Sequence, residues 1–287
     1  MIKDAETNTV YFSELIRTDP GYAPAFSRIG SVLERYGVQI KFIRATKDIW
    51  CRDYMPVQVH RDGFVQFRYE PDYLKKDPQL RSDPVDVCAA NGLSPMFSSI
   101  NLDGGNVVRW SDRVIISERI FRENPEYSDR LALMRELENL LEAEVILIPD
   151  IRSDMTGHAD GMVRFMDRNT VVGNSRRDEY ITWVRKLERV LLRHGLSYVD
   201  APFFEHRDRR YPHNALGCYV NYLEVGSLIV LPIFDLPGNH DAVAVELFRQ
   251  LFPDRTIETV NINEIGYDGG LLNCVTWTVI ESLEFKG

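Results

Sequence analysis

The strongest constraint on this chain is that it repeats one order of elements. From Gly104 it reads "GGNVVRWSDRVIISERIF", two strand-like runs joined at Ser111-Asp112. A helical stretch follows, "DRLALMRELENLLEAE", with apolar residues at three-and-four spacing, and then the strand "VILIPD". The next segment keeps the same order. "GMVRFMDRNTVVGNSR" reads as a hairpin turning at Asp167 to Asn169, "EYITWVRKLERVLLRHG" as a helix ending at Gly195, and "LSYVDAPF" as a strand. A third copy is "CYVNYLEVGSLIVLPIF", then "HDAVAVELFRQLF", then "TIETVNI". A fourth runs "MPVQVHRDGFVQFRYE", a short helical piece near Pro84 to Asn91, and "SPMFSSI". The fifth needs both ends of the chain. "CVTWTVIESLEF" pairs with "NTVYFSELI", and "PAFSRIGSVLERYG" and "VQIKFIRA" complete the unit.

Five ββαβ units, the last joining the two termini, predict an α/β ring, because closure buries a continuous core and leaves few open sheet edges. An ordinary α+β domain with look-alike elements is the competing expectation. No linker, charge block or low-complexity segment divides the 287 residues, which read as a single domain, 1–287.

In a closed ring, equivalent positions of the units converge on the axis. Asp53, Asp103, His158 and Cys274 each lie at or just before the first strand of a unit, and another unit offers His213, Asn214 and Asn221 there. In "GHADGMVRF", His158 and Asp160 stand two apart where a strand is expected to begin, so both would face one side. "WCRDYMPV" puts Arg52 and Asp53 at a second strand mouth, and "GGLLNCVTWTV" puts Cys274 at a third. One shared pocket is therefore expected.

The chemistry of that set is restrictive. A thiol must become thiolate to attack, and a neighbouring cation lowers its pKa. Two carboxylates facing one pocket need a cationic partner, since otherwise they repel and take up a proton. A planar guanidinium fits, because its fork of N–H groups matches carboxylates pairwise. The residues suggest attack of a cysteine on a guanidinium carbon held between aspartates. His158 with Asp160 is also a common metal-ligand pair, but no third strong ligand stands near it in any unit, so no metal and no other cofactor is expected.

At these residues the sequence resembles the agmatine deiminase and bacterial peptidyl-arginine deiminase branch of the guanidine-modifying, amidinotransferase-like superfamily. The stretches that carry the resemblance are "WCRDYMPV", "NLDGGNVV", "GHADGMVRF", "CYVNYLEVGSLIVLPIFD" with "NHDAVAVELFRQLFPDR", and "GGLLNCVT", spread over nearly the whole chain. The resemblance implies a five-bladed pseudo-symmetric α/β propeller, the pentein fold, closed by the two termini. It implies a cofactor-free deiminase that hydrolyses a guanidine to a ureido group and releases ammonia. By the same resemblance Cys274 is the nucleophile of an amidino-thioether intermediate, and Asp53 and Asp160 grip the guanidinium nitrogens. His158 donates a proton to departing ammonia and then activates water. Asp103 stands where these enzymes usually carry a glutamate that orients the histidine. Asn221 matches an asparagine of the peptidyl-arginine branch, and Trp50 walls the substrate channel. Arg52 and Asn106 join the substrate-binding set, and Gly104, Gly105, Gly269 and Gly270 let backbone approach the substrate.

The sequence departs from that family where the substrate's far end should bind. "VTWTV" follows Cys274 in place of a glutamine run, and "FVQFRYEPDYL" lacks the family's tryptophan segment. The chemistry is thus expected to carry over better than the substrate. Agmatine or another small guanidine is expected ahead of free or peptidyl arginine, for whose carboxylate Arg68, Lys75 and Lys76 are the obvious cations. An amidinotransferase, passing the amidino group to an amine, and a catalytically silent binding propeller are the alternatives.

Composition narrows the setting. A net charge of −9 argues against nucleic-acid binding and mildly favours a cationic ligand. No apolar run approaches the roughly 20 residues of a membrane helix. "MIKDAETNTV" has no signal-like apolar core, so a cytoplasmic protein is expected. Four cysteines without a CxxC pair suit reduced thiols, with Cys88 and Cys218 in the core and Cys51 turned away from Asp53. A homodimer is left open. "EHRDRRYPHN" reads as a solvated loop or a lid at the pocket mouth.

Overall fold

Each expected hairpin forms, and a parallel third strand extends it. The computed structural model describes residues 1–151, 154–177 and 179–281, and within them the fifteen strands fall into five sheets of three. In one sheet Val57–His60 lies antiparallel to Gly63–Arg68, which lies parallel to Met96–Asn101. Val108–Arg109, Arg113–Ser117 and Glu144–Ile148 repeat the pattern, as do Val163–Asp167, Thr170–Asn174 and Ser197–Ala201. Leu223–Val225, Leu228–Ile233 and Thr256–Asn261 make a fourth sheet. The fifth joins the two ends of the chain. Trp277–Val279 pairs antiparallel with Thr9–Ser13 in the register Thr9↔Val279 and Tyr11↔Trp277, and Gln39–Ile43 lies parallel on the other side. The remainder of the expected C-terminal strand, 282–285, lies outside the described residues.

Position in the sheet explains the composition of these strands. The central members Arg113–Ser117 and Leu228–Ile233 are buried along all or nearly all of their length and read as β-branched or apolar runs, not as alternations. The helix of each unit covers its sheet with one apolar stripe. Ile181–His194 buries Trp183, Val184, Leu187 and Leu191, at three-and-four spacing. It stops at Gly195, whose φ of +61° lets its N–H turn back to the Leu191 carbonyl. Arg130–Leu141 buries Leu133, Leu137 and Leu141 and begins where the Asp129 side chain accepts from the Leu131 N–H. Among the described residues no helix is long and apolar enough to cross a membrane.

The connections into the first strands of the units are tighter than the sequence suggests. Arg52 and Asp53 lie in one helical turn, Cys51–Tyr54, and the strand begins only at Val57. Asp160 lies in a 3-10 turn, Ala159–Gly161, with extended His158 just before it, and its strand begins at Val163. The expectation that His158 and Asp160 face one side as strand neighbours is therefore corrected. A turn, not a pleat, directs them.

The first strands of three units also carry an ion cluster that hydropathy does not announce. The N-terminal turn Asp4–Glu6 brings the Asp4 carboxylate to Arg109 and, at 2.8 Å, to Arg164, while the Thr278 hydroxyl donates to it at 3.0 Å. These three partners come from three different sheets. Burial raises the Asp4 carboxyl, but Arg109, Arg164 and Arg52 outweigh it and hold the group well below the usual carboxylate range. Its contribution to stability is present above the unfolded value of about 4 and is lost as pH falls further. Asp4→Asn is expected to cost about 3 kcal/mol, because it leaves buried guanidinium groups short of a counter-charge. Urea denaturation should read that loss at pH 7, and it should shrink below pH 4.

Candidate active site

Loops from all five units bring side chains to one buried place. His158 is at its centre, 5% exposed. Its Nδ1 lies 3.5 Å from Asp53 Oδ1, and its Nε2 donates to Asp103 Oδ2 at 2.8 Å. Asp53 Oδ1 also accepts the Gly105 N–H at 2.9 Å. Asp160 Oδ2 accepts from Asn273 Nδ2 at 2.6 Å. Asn221 Oδ1 accepts both the Asn273 N–H, at 3.1 Å, and the Cys274 thiol, at 3.4 Å. Asp53, Asp103, Asp160, Asn221 and Asn273 are buried, whereas Cys274 is partly accessible.

The electrostatics follow from crowding acids around one base. Burial alone would make the His158 imidazolium unfavourable. Asp53, Asp103 and Asp160 more than offset it and lift the ring to about 10, so it is charged at neutral pH. Burial pushes the Asp53 carboxyl up, with Asp103 and Asp160 adding to the effect and His158 opposing it. Burial also pushes the Cys274 thiol well above its ordinary range, and Asp160 and Asp53 push it further. The site thus sets a thiol and an imidazolium among three carboxyl groups, with Asp53 pushed up to about 8. Such a site is completed by a cation that brings its own N–H donors.

Glycine is required where backbone meets these groups. A Cβ on Gly105 would sit 2.5 Å from His158 Nδ1 and 2.6 Å from Asp53 Oδ1, filling the gap between them. One on Gly104 would come within 2.0 Å of the Arg52 carbonyl oxygen, and one on Gly270 within 2.3 Å of Trp50 Cζ3. The six-membered ring of half-buried Trp50 therefore lies close against the loop that carries Cys274. Gly269, at φ +102°, faces the His213 carbonyl.

Other expected members turn elsewhere. The Arg52 side chain donates to the Asn273 carbonyl at 3.3 Å and to Thr278 Oγ1 at 3.4 Å, toward the Asp4 cluster. Consecutive residues of a helical turn point about 100° apart, so the neighbour of Asp53 faces another direction. Asn106 Oδ1 accepts the N–H groups of Ser117 (2.8 Å) and Ala159 (3.2 Å), which ties the second unit to the residue between His158 and Asp160. It positions the loop and offers no oxygen to a ligand. His213 is exposed, and Asn214 bonds the carbonyls of His206 and Tyr211 within its own loop. Arg68 is already paired with Glu126 at 2.7 Å and Glu70 at 3.4 Å, and Lys75 and Lys76 are exposed. Cys51, Cys88 and Cys218 are buried.

Two contributors escape sequence reading. Asn273 is the neighbour of Cys274, and that adjacency was the available signal. Tyr73, whose hydroxyl donates to Asp103 Oδ2 at 3.2 Å, lies in a segment outside the repeat and offers none. A surface groove of about 680 Å³ between Arg122, Asp150, Tyr180 and Trp183 includes none of these site residues. Among the described residues no three or more His, Cys, Asp and Glu side chains are arranged to hold a metal ion.

Comparison with known proteins identifies the family. A provisionally named agmatine deiminase of Streptomyces coelicolor is 26% identical over 263 residues, which cover 81% of this chain and 76% of that one. A similarly named protein of Listeria monocytogenes is 41% identical over 58 residues, only 20% of this chain and 15% of that protein. The C. jejuni agmatine deiminase structure superposes with a TM-score of 0.80 at 15% identity, covering 99% of this chain and 96% of that one. SxtG, an amidinotransferase from Microseira wollei, gives 0.66 at 11% identity, covering 100% and 98%. At such identities the superpositions speak for the fold alone. The model of the Porphyromonas-type peptidyl-arginine deiminases matches residues 14–279, and the chain belongs to that family.

Proposed function

We propose that this protein hydrolyses the guanidinium group of a small cationic substrate to a ureido group, releasing ammonia, through a covalent intermediate on Cys274. One observation carries the reading. A partly accessible thiol stands beside a buried set of carboxylates, two of which contact the same histidine. The five sheets of like topology, joined end to end by Trp277–Val279 and Thr9–Ser13, support a single closed propeller with that set on its axis. The four free thiols suit a reducing, cytoplasmic setting.

In this mechanism the guanidinium binds between Asp53 and Asp160 and neutralises them, which favours ionisation of Cys274. The thiolate sulfur bonds to the central carbon. The His158 imidazolium gives a proton to one nitrogen, which leaves as ammonia with its bonding pair, and an amidino-thioether remains. Water then enters, neutral His158 takes its proton, and the second adduct breaks the carbon–sulfur bond. The ureido product leaves, the thiolate returns, and the remaining proton goes to ammonia as ammonium. Asp103, on the far nitrogen of the ring, holds His158 with Nδ1 toward the substrate.

Agmatine is placed ahead of arginine, because Arg68 is engaged by Glu126 and Glu70 and is not available to a substrate carboxylate. The test is incubation with agmatine, arginine and arginyl peptides, each with and without an acceptor amine. Ammonia and a ureido product without any acceptor are expected, fastest from agmatine. Product that forms only with an amine present would make the protein an amidinotransferase. No turnover of any guanidine, with or without an acceptor amine, would sink both readings.

A further inference from the structure

The segment that follows the first hairpin lies over the candidate site, although it belongs to no repeat. Asp72–Leu74 forms a single 3-10 turn. From it the Tyr73 hydroxyl donates to the same Asp103 oxygen that accepts from His158, at 3.2 and 2.8 Å. The Tyr73 ring stands edge-on to the imidazole, with centroids 6.2 Å apart and planes at 67°. The other Asp103 oxygen is buried and has no hydrogen-bond partner. The carboxylate that orients His158 is thus fixed by two hydrogen bonds, and one comes from Tyr73. Its neighbour Asp72 is held in turn. Arg119, 2% exposed, reaches Asp72 with Nη2, Glu123 with Nε at 2.8 Å and the Met155 carbonyl with Nη1 at 3.0 Å. A fully buried arginine anchors what is otherwise a surface turn.

We infer that Tyr73 is a positioning residue of this site. It holds Asp103 against His158, and the Arg119–Asp72 pair holds Tyr73. Its part in turnover rests on the deiminase reading above, but its part in placing the histidine does not. An aspartate is one methylene shorter than a glutamate and has less stem to be packed, so a second donor fixes its rotamer. The groups that face His158 are the carboxylates of Asp53, Asp103 and Asp160 and the Tyr73 hydroxyl, with Glu123 and Arg119 behind Asp103.

The experiment is an NMR titration of His158 in ¹³C-histidine-labelled, substrate-free protein, comparing the native chain with Tyr73→Phe and Asp72→Asn. Release of Asp103 weakens its hold on the imidazolium, so the His158 midpoint is expected to fall by about one pH unit in both variants. With substrate, kcat should fall about tenfold while KM stays within about twofold. A midpoint that stays put, or rises because Tyr73 merely drains charge from Asp103, overturns the proposal. Should Tyr73→Phe fail to fold, the Asp72→Asn titration decides alone, and an unmoved His158 there overturns it equally. The titration needs no turnover, so a native protein without activity on any guanidine sinks the reaction and leaves this test standing.

Discussion

Cys274→Ser should abolish ammonia release, by at least about 10⁴-fold, while leaving the fold and guanidine binding in place. The two side chains are nearly the same size, and serine can still donate to Asn221 Oδ1 as the thiol does at 3.4 Å. What changes is the anion. Asp160 and Asp53 already oppose ionisation of the thiol, and an alkoxide, far more basic than a thiolate, would be opposed from a much worse start. No other sulfur is placed to substitute. Cys51 donates to the Val275 carbonyl at 3.2 Å, Cys218 to the Gly161 carbonyl at 3.4 Å and Cys88 to Gln66 at 3.7 Å, all buried. An ammonia assay reads the loss, and calorimetric titration with agmatine reads retained binding. A serine variant within tenfold of the native rate would mean that a different group makes the covalent bond, or that none does.

What could be read in advance, and what could not, divides along the range of the forces involved. The units were legible because hairpin, helix and strand each have a local period, and the period recurs. Pairing of Trp277–Val279 with Thr9–Ser13 was legible for the same reason, since only the chain ends could complete the last unit. The membership of the site followed from topology, which brings equivalent loop positions together whatever their local shape. Side-chain direction did not follow. His158 reaches the site just before a 3-10 turn and Asp160 from within it, and Arg52, next to Asp53 in sequence, faces another direction in a helical turn. Asp103 reaches His158 despite its short stem, which only the packing of its loop could decide. Asp4 and Tyr73 carry no periodic signal. Asp4 matters because three arginines distant in sequence surround it, and Tyr73 because Arg119 holds the residue beside it.

Asp53→Asn should act in opposite directions on turnover and on the free thiol. It removes one of the carboxylates proposed to receive the guanidinium, and with it a group that raises the His158 imidazole. Losing a buried, pre-aimed charge of this kind is expected to lower kcat/KM by about 10²–10³-fold. The Cys274 thiol responds otherwise. Burial is the first cause of its raised pKa, and asparagine leaves burial nearly unchanged. Asp160 and Asp53 are the next causes, and the substitution deletes one of them. The thiolate population of the empty site should therefore rise, and iodoacetamide, a neutral reagent, should alkylate Cys274 faster at pH 8 than in the native protein. Asp160→Asn should do the same, since Asp160 stands ahead of Asp53 among the charges opposing the thiolate. On the proposed mechanism agmatine brings a positive charge to the same place, so a competitive guanidine too short to fill the pocket should speed alkylation in the native protein and do less in either variant. Mass spectrometry of the Cys274 peptide over time measures all of these rates. Unchanged or slower alkylation in both variants would mean that the carboxylates do not control the nucleophile, and that substrate binding does not switch it on.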